Sequence, residues 1–186
     1  MVRVLVLWGV MLSAMSFGPP TVKKFDLKRY MGNWHQIGTI PAWFQRDCAT
    51  NTTATYSLLK NKVIKVVNKC VTREGKEKKA IGRGRVNPLY RKKSKLQVTF
   101  AKILGRYRFL LGGDYWVLDI DKDYQVSLVG DPTRRFFWIL ARSPQLERDT
   151  LIAIEKKVKK LGYDSCRVIV TQDGVDTKKR LCDLKK

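Results

Sequence analysis

Phe25-Asp26-Leu27-Lys28-Arg29-Tyr30-Met31-Gly32-Asn33-Trp34 and, far downstream, Phe136-Phe137-Trp138-Ile139-Leu140-Ala141-Arg142 are the two stretches that decide the fold. The first ends in Gly-x-Trp. The second is a strand-like run that ends on Arg. An indole face attracts a guanidinium by ~0.5–2 kcal/mol, depending on burial.

Between them the chain reads as short strands. Residues 36–40 can form one that stops at Pro41, and Trp43 and Phe44 then fall in a loop. Two large rings in a loop should plug something or bind something. Residues 50–59 make a second run, rich in Thr and Tyr. In residues 63–72, Ile64, Val66, Asn68 and Cys70 share one face against Lys65 and Lys69, the period of a half-buried strand. Residues 79–87 follow with Ala80, Gly82, Gly84 and Val86 on one face, small enough to leave space inside a closed sheet. Leu96, Val98 and Phe100 form the inner face of a fifth strand; residues 115–120, 124–129 and 135–142 supply three more. The connections are short, which favours antiparallel neighbours. The expected fold is all-β: an eight-stranded antiparallel up-and-down β-barrel with a C-terminal α-helix packed outside.

The helix follows from a change of period. Ser143-Pro144 can open it, and Leu151, Ile154, Val158 and Leu161 form its apolar stripe. Lys156, Lys157, Lys159 and Lys160 suit its C-terminal end, and Gly162 stops it. Residues 167–171 form a short last strand.

At the N-terminus, Arg3, the apolar run 4–12 and the small residues Ala14-Met15-Ser16 predict a secretory signal over residues 1–16. The run is too short to span a bilayer, which takes about 20 apolar residues. The barrel and helix are expected over residues 17–172, and a basic tail, loose except near Cys182, over 173–186. The chain is therefore expected to be secreted, to the extracellular space or a periplasm. Four cysteines, Cys48, Cys70, Cys166 and Cys182, then favour two disulfides; three pairings are open and spacing does not choose. With one His and no Cys-x-x-Cys pair, no metal site is expected, and no motif calls for a cofactor.

Together these features resemble the lipocalin family, over nearly the whole chain after the signal. Ala54-Thr55-Tyr56-Ser57-Leu58, Tyr115-Trp116-Val117-Leu118 and Trp138-Ile139-Leu140-Ala141-Arg142 read like the branch holding apolipoprotein D and the bacterial lipocalins. The resemblance makes Gly32, Trp34, Asp131 and Arg142 fold markers. In Gly130-Asp131-Pro132 only the Asp of the family's usual Thr-Asp-Tyr motif survives. It implies a carrier that holds a small hydrophobic ligand (a fatty acid, lysophospholipid, sterol or isoprenoid) in the barrel. Strand parity and the resemblance together name Tyr56, Val66, Asn68, Phe100, Tyr115, Trp138 and Leu140 as the lining. Phe137, Ile139 and Ala141 should face outward under the helix. Likeness to apolipoprotein D pairs Cys48 with Cys182, leaving Cys70 with Cys166.

Two rival functions follow from other residues. Some lipocalins isomerise prostaglandins with a cavity thiolate, a place Cys70 could take; His35, the only His, has no evident route to it. No catalytic residue is therefore assigned, and the protein is not expected to be an enzyme. The stretch from Lys60 to Lys95 carries fourteen Lys or Arg against Glu74 and Glu77, in a chain of formal charge +22. That surface could adsorb to anionic lipid or polysaccharide. No aromatic residue is interleaved in Arg91-Lys92-Lys93-Ser94-Lys95, so nucleic acid is not an expected partner.

Overall fold

A computed structural model describes residues 18–172 and 179–185. The expected signal segment lies outside the described residues.

Asp26 opens the first ordered turn. Its carboxylate accepts from the backbone N–H of Lys28 and Arg29 and caps a four-residue helix, α1 (Leu27–Tyr30). Eight strands then close into an antiparallel barrel: β1 (Gly32–Thr39), β2 (Cys48–Leu58), β3 (Ile64–Thr72), β4 (Glu77–Val86), β5 (Lys95–Thr99), β8 (Gly113–Ile120), β9 (Val126–Gly130) and β10 (Phe137–Ala141). Each pairs with the next, and β10 pairs with β1 to close the ring, with Thr39 opposite Trp138 and Gln36 opposite Leu140. Two-residue strands β6 (Lys102–Ile103) and β7 (Arg106–Tyr107) form a separate hairpin between β5 and β8. Strand β11 (Ile169–Val170) pairs with the end of β1.

Alternation along the strands produces two cores. One fills the barrel: Trp34, Tyr56, Ile64, Val66, Leu96, Val117, Val129 and Leu140. The other lies outside the wall. Ile37, Leu128, Phe137, Ile139 and Ala141 pack there under helix α2 (Arg148–Lys160), against Leu151, Ile154 and Val158. The outward placing of Phe137, Ile139 and Ala141 follows the sequence expectation.

The helix starts later than Ser143-Pro144 suggests. Ser143 Oγ accepts from the Gln145 N–H in a local turn, and the first helical residue is Arg148. Its apolar stripe also buries Glu155, which accepts a 2.8 Å bond from Ser165 Oγ and pairs with Lys159 at 2.6 Å. Gly162 ends the helix at φ +80°, where Tyr163 N–H reaches back to the Val158 carbonyl.

Around Cys182 the described residues 179–185 are held in place, as expected for that part of the tail. Leu181 and Leu184 are buried in the outer core, and the Leu184 carbonyl accepts two bonds from the Arg148 guanidinium. Two leucines on one turn find an apolar seat beside α2.

The cysteine pairing differs from the expectation. Cys48 is bonded to Cys70, and Cys166 to Cys182. The cause lies in the register. Cys48 starts β2 opposite Thr72 of β3, and two irregularities in that ladder bring the Cys48 and Cys70 Cα atoms to 5.5 Å. Cys182 is carried to Cys166 by the return of the chain end along α2, at a Cα separation of 5.0 Å.

Candidate functional site

The two ends of the barrel are built differently, and the candidate site lies between them. At the closed end, Trp34 is fully buried and donates from Nε1 to the Tyr30 carbonyl at 2.9 Å. The Arg142 guanidinium sits 3.8 Å from the Trp34 ring centroid. It also donates to the carbonyls of Asn33 (2.7 Å), Met31 (2.7 Å), Arg29 (3.0 Å) and Tyr124 (3.4 Å). Gly32 has φ +99°, and a Cβ there would stand 3.1 Å from Arg142 Nη1. Glycine is required for both the turn and the approach. The expected pairing of Trp34 with Arg142 therefore exists, and it plugs the floor.

Above the plug lies a chain of phenols. Tyr30, brought in by α1, bonds Tyr115 hydroxyl to hydroxyl at 2.7 Å, and Tyr115 bonds Tyr56 at 3.0 Å. Ser127 Oγ reaches Tyr30 at 3.5 Å. Burial pushes the Tyr30 hydroxyl up to about 12, offset in part by the bonds to Ser127 and Tyr115 and by the charge of Arg142. Burial raises Tyr56 and Tyr115 too; Tyr30 adds to both and Tyr56 to Tyr115, while the bond to Tyr115 partly offsets the rise at Tyr56. All three are neutral donors at any physiological pH. The hollow beside them is narrow. It offers about 10 Å³ to a water centre and is lined by Tyr30, Tyr56, Ile64, Val66, Leu96 and Tyr115, among others. That is room for about one water.

Of the small residues of β4, Gly84 lines this hollow, whereas the space beside Gly82 is taken. A Cβ on Gly84 would meet Ile64 and Val98, and one on Gly82 would meet the Phe100 ring at 2.9 Å. The Phe100 ring has filled the gap at Gly82. Phe100 itself departs from the expected lining. β5 ends at Thr99, whose Oγ1 accepts from the Ala101 N–H, and Phe100 lies past the strand, 43% exposed, with its ring over Gly82. Among the other expected residues, Tyr56, Val66 and Leu140 are buried in the inner core, with Tyr115 and Trp138 partly buried against it. Asn68 shares the inner face of β3, and its buried Oδ1 meets no hydrogen-bond partner.

The mouth is aromatic. Trp138 stacks on Phe136 at 6.1 Å, and Phe44 from the loop after β1 lies 5.6 Å from Phe136 and 6.4 Å from Trp138. Gln45 of the same loop accepts from Trp138 Nε1 at 3.0 Å, and Gln36 Oε1 accepts from Gln45 Nε2 at 3.1 Å. Phe44 thus forms part of a plug, whereas Trp43 projects outward, 77% exposed. Asp131 organises the neighbouring loop: its carboxylate accepts from the N–H of Thr133 (3.0 Å) and Phe136 (2.7 Å). Sequence reading missed Tyr30 and Gln45. Tyr30 could have been found as the ring that precedes Gly-x-Trp by one turn; nothing in the pattern marks Gln45.

Outside the barrel, His35, Gln36, Asn51, Thr52, Thr171 and Gln172 edge a polar hollow of about 220 Å³ where β1 and β2 diverge. Cys70 is inward and buried, yet its sulfur is bonded to Cys48, which removes the nucleophile that a thiolate isomerase would need.

These features agree with the comparisons. A family model described as a lipocalin-like domain matches residues 25–173. Temperature-induced lipocalin-1 of Arabidopsis thaliana is 36% identical over 77% of this chain and 76% of its own length. Apolipoprotein D of Mus musculus is 29% identical over 87% of this chain and 77% of its own. Among solved structures, insecticyanin from Manduca sexta superposes with a TM-score of 0.64 at 24% identity, covering 83% of each chain. The chain belongs to the lipocalin family.

Proposed function

We propose that the protein is a secreted carrier, not an enzyme, that holds a single slender acyl chain, a fatty acid or lysophospholipid, inside the barrel. The observation that carries this reading is the contrast within the interior. The floor is locked by Trp34, Arg142 and three bonded phenols, while the mouth is closed by one loop, with Phe44 against Phe136 and Trp138 and Gln45 bonded to Trp138. A guest enters by displacing Phe44. A flexible chain needs few side chains to move; a rigid sterol needs a wide preformed slot, and the narrow hollow above the floor argues against one. Apolar burial supplies ~25 cal/mol per Å² of ligand surface removed from water. That is enough for micromolar binding of an acyl chain after association costs. The buried Asn68 Oδ1, which meets no partner in the wall, can accept from a hydroxyl on the guest. Secretion fits two disulfides in a chain whose first residues read as a signal.

Native mass spectrometry of the purified protein is the direct test. An adduct with the mass of a fatty acid or lysolipid is the expected result. A protein that stays empty, and that also fails to take up a fluorescent fatty acid in titration, overturns the reading.

A further inference from the structure

We propose that the β6–β7 hairpin and the turn that follows it, residues 101–111, form a docking surface for an anionic lipid bilayer. Its apolar side chains are exposed to a degree seen nowhere else in one described segment: Ile103 46%, Leu104 91%, Leu110 94% and Leu111 61%. Scattered surface leucines need no explanation, but four exposed apolar side chains within one short segment do.

The segment is not a loose loop whose leucines happen to be out. Arg108 N–H donates to the Ala101 carbonyl at 3.0 Å, Thr99 Oγ1 to the Arg108 carbonyl at 2.9 Å, and Gln97 Nε2 to the Phe109 carbonyl at 2.9 Å. Arg83 stacks 4.6 Å from the Tyr107 ring and Arg85 4.2 Å from Phe109. Tyr107 and Phe109 thus anchor the segment to the wall, and the leucines are the side chains left over. Leu104 carries the strongest sign. It holds φ +49° at the tip, beside Gly105, in the left-handed region that ordinarily takes Gly or Asn. A leucine there strains the backbone and, at that exposure, gains nothing from the fold.

The chemistry selects the occupant. Lys102, Arg106 and Arg108 flank the leucines, and no Asp or Glu occurs from Ala101 to Gly113. Apolar side chains that can enter the acyl boundary, ringed by cations that stay at the headgroups, suit an anionic interface. A stable protein partner covers about 800 Å² per side with polar complementarity, more than four side chains on a narrow hairpin present. The basic stretch from Lys60 to Lys95 is different: it offers charge, with one strongly exposed apolar side chain, Leu89, among its turns. Antiparallel order places the β5–β8 connection at the same end of the barrel as the Phe44 loop, so docking would bring the mouth to the lipid. The inference does not depend on any ligand occupying the barrel.

Vesicle co-sedimentation at about 0.1 M salt tests it, comparing phosphatidylcholine vesicles with and without phosphatidylserine. The intact chain should bind the anionic vesicles. Leu104→Asp with Leu110→Asp should weaken that binding at least about tenfold, and the milder Leu104→Asn with Leu110→Gln severalfold. Lys92→Glu with Lys93→Glu should cost about twofold or less. Titration of the leucine variants with a fluorescent fatty acid should be unchanged within about twofold, which separates docking from carriage. Equal vesicle binding by the leucine variants overturns the proposal. So does greater loss in the lysine variant, or no vesicle binding together with a concentration-dependent dimer that the leucine changes abolish.

Discussion

The two ends of the barrel solve opposite problems with similar residues. At the closed end one arginine, Arg142, lies on a buried indole and gathers four backbone carbonyls. At the open end Arg135 stands on the surface, with its guanidinium 5.9 Å from the Phe136 ring and no carbonyl to hold among the described residues. A charge among fixed acceptors cements structure, whereas the same charge in water does little for stability and leaves the rings beside it free to move. The comparison predicts a large asymmetry. Arg142→Ala should lower unfolding stability by about 3–5 kcal/mol, from the lost ring contact and the carbonyls left unpaired. Arg135→Ala should stay within about 0.5 kcal/mol. Urea midpoints of the two variants measure this directly, and equal shifts would break the contrast.

The open end is held instead by a covalent staple. Cys48–Cys70 joins the start of β2 to the far part of β3 across a separation of 22 residues. Closing a loop of that size restricts the unfolded chain by about 3 kcal/mol. Cys48→Ser with Cys70→Ser should lose that amount, and protease cleavage should appear first in the loops around the mouth.

Alkali attacks the other end. Tyr30 ionises at about 12 in the fold, against an ordinary phenol value near 10. Below the ordinary value the folded and unfolded chains bind the same proton and no stability is lost. Between the two values the unfolded chain gives up its proton first, so stability falls as pH rises. The loss from Tyr30 alone reaches about 2–3 kcal/mol by pH 12. Tyr56 and Tyr115 act in the same direction. Tyr30→Phe should therefore flatten the decline in unfolding stability between roughly pH 10 and 12. An unchanged slope would remove Tyr30 from the floor's titration.

How much of this was legible beforehand depends on the range of the signal. Alternation is local, so most strand faces, and the helix stripe of Leu151, Ile154 and Val158, could be read from residue types. Trp34 and Arg142 could be paired because the resemblance to lipocalins lays the Arg across the Trp ring. The cysteine pairing could not be read, because it hangs on two irregularities in the β2–β3 ladder that no composition marks. The β6–β7 hairpin escaped for a different reason: strands of two residues carry no period. The space expected beside Gly82 is absent, and that beside Gly84 is small, because volume in a core is shared. A small residue on one strand invites Phe100, Ile64 or Val98 from the next.

That sharing makes the last prediction the finest. Trp138 closes the interior from the mouth side and is held by Gln45, while Tyr56 faces the narrow floor. If guests enter past Phe44 and lie against the aromatic wall, Trp138→Ala should weaken fluorescent fatty-acid binding several-fold, about 1 kcal/mol. The change should fall mainly on the dissociation rate, because related binding differences sit there. Tyr56→Phe keeps the ring and deletes one hydroxyl, so it should alter affinity by about twofold or less. Stopped-flow release separates the two. A larger effect at Tyr56 than at Trp138 would move the guest from the upper wall down to the phenols, and with it the side chains that must give way on entry.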